Sequence, residues 1–198
     1  MGGVKGSAAV RPSSLRRRGR LITVLEALSA DSLYEARWAR RAEREERARR
    51  LEGLLAGSGV RLLNDRRVPG ARATVAHLAI GPRGVTVIDA IRESGRVRVV
   101  DGRLLVNDED RTTLVRDVQR QVEVIRLGLA ASPSVPIGCA ICWVEPDGLP
   151  RVRRLIVNGV PIDGPRVLAD ELRRPGGISP RRVTHLTAVL DRRLPQRH

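Results

Sequence analysis

Hydrophobic and polar positions recur with two different periods along this 198-residue chain, and the periods predict its helices and strands. From residue 111 to 129, apolar residues return every three or four positions, which predicts an amphipathic helix. Ser32 and Glu35 have the spacing of a capping box at the start of another helix. Ser179 and Pro180 are typical of a helix start as well. The predicted helices are residues 32–56, 111–129, 163–172 and 179–190.

Short apolar or alternating runs lie between the predicted helices and are typical of strands. Turns at residues 81–84 and at Asp101–Gly102 predict two antiparallel hairpins, because Asp-Gly between alternating apolar residues is a strong hairpin signal. Residues 65–72 are predicted to form a turn. The predicted strands are residues 60–64, 73–80, 85–91, 96–100, 103–106, 136–144 and 153–157. This order predicts an α/β fold in which helices flank a central mixed β-sheet.

The first 19 residues differ in composition from the rest of the chain. They are mostly Gly, Ser, Pro and Arg without hydrophobic periodicity, which predicts a basic, disordered tail. The remaining residues, 20–198, have the length of one domain with a hydrophobic core. We therefore expect a tail at 1–19 and a single domain at 20–198.

The charge of the chain favours a phosphate-bearing partner without establishing one. The chain has 37 Lys and Arg against 22 Asp and Glu, a formal net charge of +15, and Lys5 is the one lysine. Such charge attracts nucleic acid, but a strong preference for arginine also arises from codon usage, so both interpretations stay open. Aromatic residues are scarce, which argues against binding of single strands by base stacking.

Cys139 and Cys142 have CxxC spacing but lie in a predicted buried strand. Residues three apart on a strand point to opposite faces, so we expect two buried free thiols rather than a redox pair or half a zinc site. Free thiols are typical of a reducing compartment. Because the chain also has no apolar run of membrane-spanning length and no convincing signal peptide, we expect a cytoplasmic protein without a membrane partner.

Three neighbouring motifs carry a family resemblance. They are LLNDRRVPG at residues 62–70, AHLAIGPRGV at 76–85 and VIDAI at 87–91. This pattern resembles the nuclease-related domain (NERD) family, from about Trp38 to Leu194. The resemblance implies a restriction-endonuclease-like core of the PD-(D/E)xK superfamily. In that site, carboxylates hold Mg²⁺, a helix glutamate assists, and a lysine orients or polarises the attacking water.

The resemblance assigns site residues to this chain, and two catalytic positions are changed. Glu45 corresponds to the helix glutamate, although Arg44 replaces the glycine usual before it. Ala76 stands where the family has an aspartate, before His77. Asp89 keeps the carboxylate of the (D/E)xK triplet, but Ile91 replaces its lysine. Alanine has no oxygen for a metal, and isoleucine carries no charge.

Further assignments remain open between functional and structural alternatives. Gln121 corresponds to a family glutamine on the helix after the strands, with Gln119 as another register. Asp89 is the candidate metal ligand, or a strand-end carboxylate bonded to local amides. Glu45 is a site residue or the ion-pair partner of Arg41 or Arg49. We expect His77 to be a packing residue of the hairpin.

A cluster of arginines around the turn at Pro69–Gly70 is a candidate nucleic-acid contact. Its members are Arg66, Arg67 and Arg72. Guanidinium groups bind backbone phosphates well, although a solvated charged loop has the same composition.

These observations favour a catalytically degenerate nuclease-like domain that binds nucleic acid, DNA rather than RNA, or another partner without cleaving it. No cofactor is expected in that case. One alternative is an active Mg²⁺-dependent nuclease with a rearranged site, and a second is a protein interaction scaffold.

Overall fold

A six-stranded mixed sheet lies at the centre of the protein. The computed structural model describes residues 46, 49–69, 74–129, 134–150 and 154–196. The strand order is β1-β2-β3-β7-β9-β8; β3, β7 and β9 are parallel, and the other neighbouring pairs are antiparallel. The strands of this sheet are β1 (Arg61–Arg67), β2 (Thr74–Gly81), β3 (Gly84–Ile91), β7 (Ile137–Trp143), β8 (Leu155–Val157) and β9 (Val160–Asp163).

A smaller antiparallel sheet is inserted between β3 and the helix that follows. It consists of β4 (Val97–Val100), β5 (Arg103–Val106) and β6 (Glu109–Asp110). Asp101 and Gly102 both have positive φ angles, 48° and 73°, which suits a tight hairpin turn between β4 and β5. The hairpin predicted at Asp101–Gly102 is therefore confirmed.

Helices cover both faces of the central sheet. The described helical residues of α1 are 46 and 49–55; the other helices are α2 (Thr112–Gly128), α3 (Pro165–Arg173) and α4 (Pro180–Arg193). Helices α2 and α4 contribute to the larger hydrophobic core on one face, and α1 and α3 to a smaller core on the other. The predicted α/β fold with a central mixed sheet between helices is confirmed.

The local signals explain several element boundaries. The Ser179 hydroxyl accepts a hydrogen bond from the backbone N–H of Arg182 at 3.4 Å, and Pro180 occupies the first helical turn of α4, as predicted. Gly84 has a φ of 115°, and a side chain there would collide with the carbonyl of Pro136. Glycine is therefore required where β2 turns into β3.

Two boundaries differ from the sequence prediction. Strand β1 continues to Arg67, so the turn predicted from residue 65 is wrong for its first three residues. The chain also forms β9 before α3, which begins at Pro165 rather than at residue 163. Asn158 and Gly159, with φ angles of 49° and 80°, make the β8–β9 turn. That Asn-Gly pair is a hairpin signal that the sequence analysis missed.

Some predictions concern parts of the chain outside the described residues. The tail at 1–19, Glu45 and Arg72 lie outside them, as does most of the helix predicted at 32–56. Within the described residues, no helix has both the length and the apolar character needed to cross a membrane.

Candidate functional site

The described pairing of strands β2 and β3 ends next to Asp89. Their described ladder ends at His77–Ile88, whereas β3 continues to pair with β7 as far as Ile91–Trp143. Ala76 and Asp89 are the residues next to that last pair on their two strands. We call the position formed by Ala76, Asp89 and Ile91 the β2–β3 opening. That these three residues form one site stays a prediction.

The side chains of Asp89 and Ile91 in the β2–β3 opening face the larger core. Val87 and Ile91 both pack in that core, and alternation along β3 places the Asp89 side chain between them on the same face. Asp89 and Ala76 are half-buried. Ile91 thus has hydrophobic surroundings at the position where the NERD resemblance calls for a lysine.

Helix α2 presents its two glutamines to different surroundings. The Gln119 amide donates to the carbonyl of Asn158 at 3.0 Å, in the β8–β9 turn. Residues two apart on a helix are separated by about 200°, so Gln121 faces away from that turn. The Gln121 Oε1 atom is buried and has no hydrogen-bond partner among the described residues. Gln121 is therefore the better candidate for the site glutamine.

The backbone of β1 is irregular beside the same opening. Asp65 has a φ of 48°, and the β1–β2 ladder passes from Asn64–His77 to Arg66–Val75 without an Asp65–Ala76 pair. Aspartate tolerates this left-handed conformation better than most residues. The irregularity changes which face the next residue of β1 occupies, and it directs Arg66 toward α4.

Arg66 has an intramolecular role. Its guanidinium forms an ion pair with Asp191 at 2.7 Å and donates to the carbonyl of Leu194 at 3.1 Å. It is only 11% exposed. Arg67, by contrast, is exposed, and its backbone N–H donates to the Pro195 carbonyl at 2.9 Å. Arg66 therefore anchors the end of α4 to β1, whereas the side chain of Arg67 is accessible to a ligand.

His77 lies on the opposite face of the sheet from Asp89. It is 3% exposed, and its Nδ1 lies 2.8 Å from the Asn64 Oδ1; the Asn64 amide in turn donates to Glu52 at 2.6 Å. A cavity of about 10 Å³, room for about one water molecule, adjoins His77. Its other lining residues are Arg50, Leu51, Ala90, Cys142, Val144 and Pro165. This environment agrees with the expected packing role.

The cysteines occupy opposite faces, as their spacing predicts. Cys139 packs against the larger core and Cys142 within the smaller one, and both are free. Burial raises the pKa of the Cys142 thiol to about 12, against a smaller opposing effect of Arg50. Burial also raises the pKa of Cys139, but this residue is only half-buried, so the expectation of two buried thiols is wrong for Cys139. Both thiols are therefore protonated at neutral pH and poor nucleophiles.

A buried ion pair was not anticipated from the sequence. Asp163, at the end of β9, is 3% exposed and accepts two hydrogen bonds from Arg154 Nε, at 3.0 and 3.1 Å, and one from its NH2 group at 2.5 Å. This pair raises the pKa of Arg154. Arg154 also contacts Glu171 at 3.5 Å. The arrangement links β9 to α3 and has a structural role.

The described residues of the β2–β3 opening offer one carboxylate. It belongs to Asp89, whereas Ala76 ends in a methyl group and Ile91 is apolar. Among the described residues, no group of three or more His, Cys, Asp or Glu side chains is arranged to hold a metal ion.

No family model, curated protein or solved structure matches this chain.

Proposed function

We propose that this protein is a catalytically degenerate nuclease-like domain of the NERD type, which binds nucleic acid without cleaving it. The observation that carries the proposal is the composition of the β2–β3 opening. Asp89 stays at the position of a metal-binding carboxylate, while alanine and isoleucine occupy the two positions that the PD-(D/E)xK chemistry needs beside it.

Ala76 and Ile91 lack the functional groups that catalysis needs, and a small movement of either side chain would not supply them. Mg²⁺ binds hard oxygen ligands, and the methyl group of Ala76 offers none. Ile91 is held by the hydrophobic core and has no charge to stabilise a phosphate or orient a water molecule. Arginine would not replace the lysine as a proton acceptor, because a guanidinium stays protonated in proteins.

Binding is supported by charge. A net charge of +15 attracts the phosphate backbone, and the scarcity of aromatic residues favours backbone contact over base stacking. We therefore propose duplex DNA as the partner. We also propose a cytoplasmic location, which suits two free thiols that lie on opposite faces of the sheet.

Duplex DNA is expected to bind the full-length protein with a steep salt dependence. Each neutralised phosphate releases counterions, so affinity should fall by orders of magnitude between about 50 and 200 mM salt if several phosphates are contacted. Fluorescence anisotropy with a labelled duplex measures this directly. Deletion of residues 1–19 should lower the salt slope without abolishing binding, because the tail carries only part of the charge.

An affinity that does not change with salt, or no retention of DNA at low salt, would contradict nucleic-acid binding. The protein interaction scaffold would then be the better account of the fold.

A further inference from the structure

One side of helix α4 presents basic residues to the solvent. Apolar residues of α4 such as Leu186 pack in the larger core and fix which side of the helix meets the sheet. At about 100° per residue, four positions spaced four, three and four apart lie within roughly 60° of one another, opposite that apolar side. All four residues are exposed. We call them the α4 outer face: Arg181, His185, Ala188 and Arg192.

The two arginines of the α4 outer face are not neutralised by their described surroundings. Neither Arg181 nor Arg192 forms an ion pair or a side-chain hydrogen bond within the part of the chain that the structure describes. The one acidic residue of α4, Asp191, is paired with Arg66 at 2.7 Å. Two guanidinium groups are therefore available to an anion from outside the protein.

Helices α2 and α3 have exposed arginines in a different arrangement. On each of these helices, two arginines form ion pairs at 2.5 to 3.0 Å with an acidic residue three positions earlier. A codon usage that favours arginine would act on all the helices alike, so it does not explain why α4 lacks such acidic partners. The pairs on α2 and α3 are Asp117–Arg120, Glu123–Arg126, Asp170–Arg173 and Glu171–Arg174.

Helix stability does not explain the basic residues of the α4 outer face either. The N-terminal end of a helix carries partial positive charge, so a cation in the first turn, such as Arg181, is unfavourable there. That turn of α4 contains no acidic residue. Arg192 lies in the last turn, where a cation is favourable. Because the two effects have opposite signs, the pair of arginines together adds little to the stability of the helix.

The spacing of the two arginines suits a polymer with regularly repeated negative charges. Arg181 and Arg192 are eleven positions apart in the sequence, which separates their Cα atoms by about 16 Å along the helix axis. Duplex DNA carries phosphates on both sides of a major groove about 12 Å wide, within reach of two long side chains at this separation. Guanidinium groups suit phosphate oxygens in both charge and geometry. The small side chain of Ala188 leaves room between them for a close approach.

We propose that the α4 outer face binds backbone phosphates of duplex DNA through Arg181 and Arg192. This inference rests on the proposed function and adds the contact surface. It also assigns the contact to a helix, whereas the sequence analysis placed it at the arginines around residues 66–72.

Three double variants of the full-length protein test the α4 outer face. R181Q/R192Q removes both guanidinium groups and keeps a polar side chain at each position. R181K/R192K keeps the positive charge. R120Q/R126Q is the matched control, because it removes two exposed arginines from α2, which packs on the same face of the sheet as α4. These two arginines are already paired with acidic residues.

The measurement is fluorescence anisotropy with a labelled duplex at several salt concentrations. Loss of two phosphate contacts should reduce the slope of log affinity against log salt by about 1.8 and weaken binding roughly tenfold or more near 100 mM salt. We expect R181Q/R192Q to show this loss and R181K/R192K to keep the wild-type slope. R120Q/R126Q should stay within about twofold of wild type, because salt screens charges that do not contact DNA. Thermal unfolding of R181Q/R192Q should be close to that of wild type, since its two effects on the helix dipole oppose each other.

Three results would overturn the α4 outer face alone. If wild type binds DNA but R181Q/R192Q retains its affinity and slope, the phosphates bind elsewhere and the proposed function still stands. If R181Q/R192Q and R120Q/R126Q lose equal affinity, binding depends on the total charge of the protein. If R181K/R192K loses as much of the slope as R181Q/R192Q, the loss does not come from neutralised phosphates. If wild type itself does not bind DNA, both the α4 outer face and the proposed function are wrong.

Discussion

Arg154→Ala is expected to lower the free energy of unfolding by about 3 kcal/mol, because it would leave the buried carboxylate of Asp163 without its cation. Asp163 is 3% exposed, and three hydrogen bonds from Arg154 satisfy its oxygens. Removing one partner of such a pair lowers the free energy of unfolding by more than the pair adds to it, because the remaining charge stays desolvated. Arg154 is 38% exposed, so water can partly replace it, and we expect the lower end of the range for buried pairs.

Arg174→Ala is the matched control for that prediction. Arg174 contacts Glu171 at 3.0 Å, the same glutamate that Arg154 approaches, but it is 62% exposed. Pairs of this kind contribute about 0–1 kcal/mol. Urea denaturation of wild type and both variants measures the difference. Equal losses for the two variants would contradict a special role for the Arg154–Asp163 pair.

The double variant A76D/I91K is expected to gain metal-dependent cleavage of DNA. Position 76 and Asp89 both adjoin the last described β2–β3 pair, His77–Ile88, so an aspartate at position 76 would supply a second carboxylate near Asp89 for the metal. A lysine at position 91 can rest its aliphatic stem against the core and extend its ammonium group to the opening. Either change alone should do little, because the metal and the charge act together on the phosphate.

A matched variant, A76N/I91M, changes the size of both side chains similarly without adding charge. We expect A76D/I91K to bind Mn²⁺ at least tenfold more tightly than this control and to cleave a labelled duplex only when metal is present. Mn²⁺ binding is measured separately from cleavage, by electron paramagnetic resonance. If the two variants bind Mn²⁺ equally weakly, the side chains at positions 76 and 89 do not form a common metal site.

Much of the fold could be predicted because its signals are local. The period of apolar residues gave α2 to within one residue at each end, and Asp101–Gly102 gave the β4–β5 hairpin. The end of β1 was harder, since Asp65 adopts a left-handed conformation inside a strand, where its composition suggests a turn. Strand β9 was missed because Pro161 lowers its strand tendency, although Asn158–Gly159 marks the turn before it.

The candidate site was predictable only as far as strand register follows from sequence. Alternation placed Asp89 and Ile91 on one face and the two cysteines on opposite faces. The distinction between Arg66 and Arg67 depends on the backbone irregularity at Asp65 and on a helix more than 120 residues away in the sequence. The partner of Asp163 was equally unpredictable, because one residue among many arginines had to be identified by packing.

The most direct measurement of the central proposal is a cleavage assay of full-length wild type on labelled single- and double-stranded DNA and RNA, with Mg²⁺ or Mn²⁺. Asp89→Ala, purified in parallel, controls for contaminating nucleases. A degenerate site predicts that wild type forms no metal-dependent cleavage products. Asp89→Ala should then show the same absence of cleavage, because the Asp89 carboxylate takes no part in catalysis. Cleavage by wild type that Asp89→Ala abolishes would contradict the proposal and identify an active metal-dependent nuclease with a rearranged site.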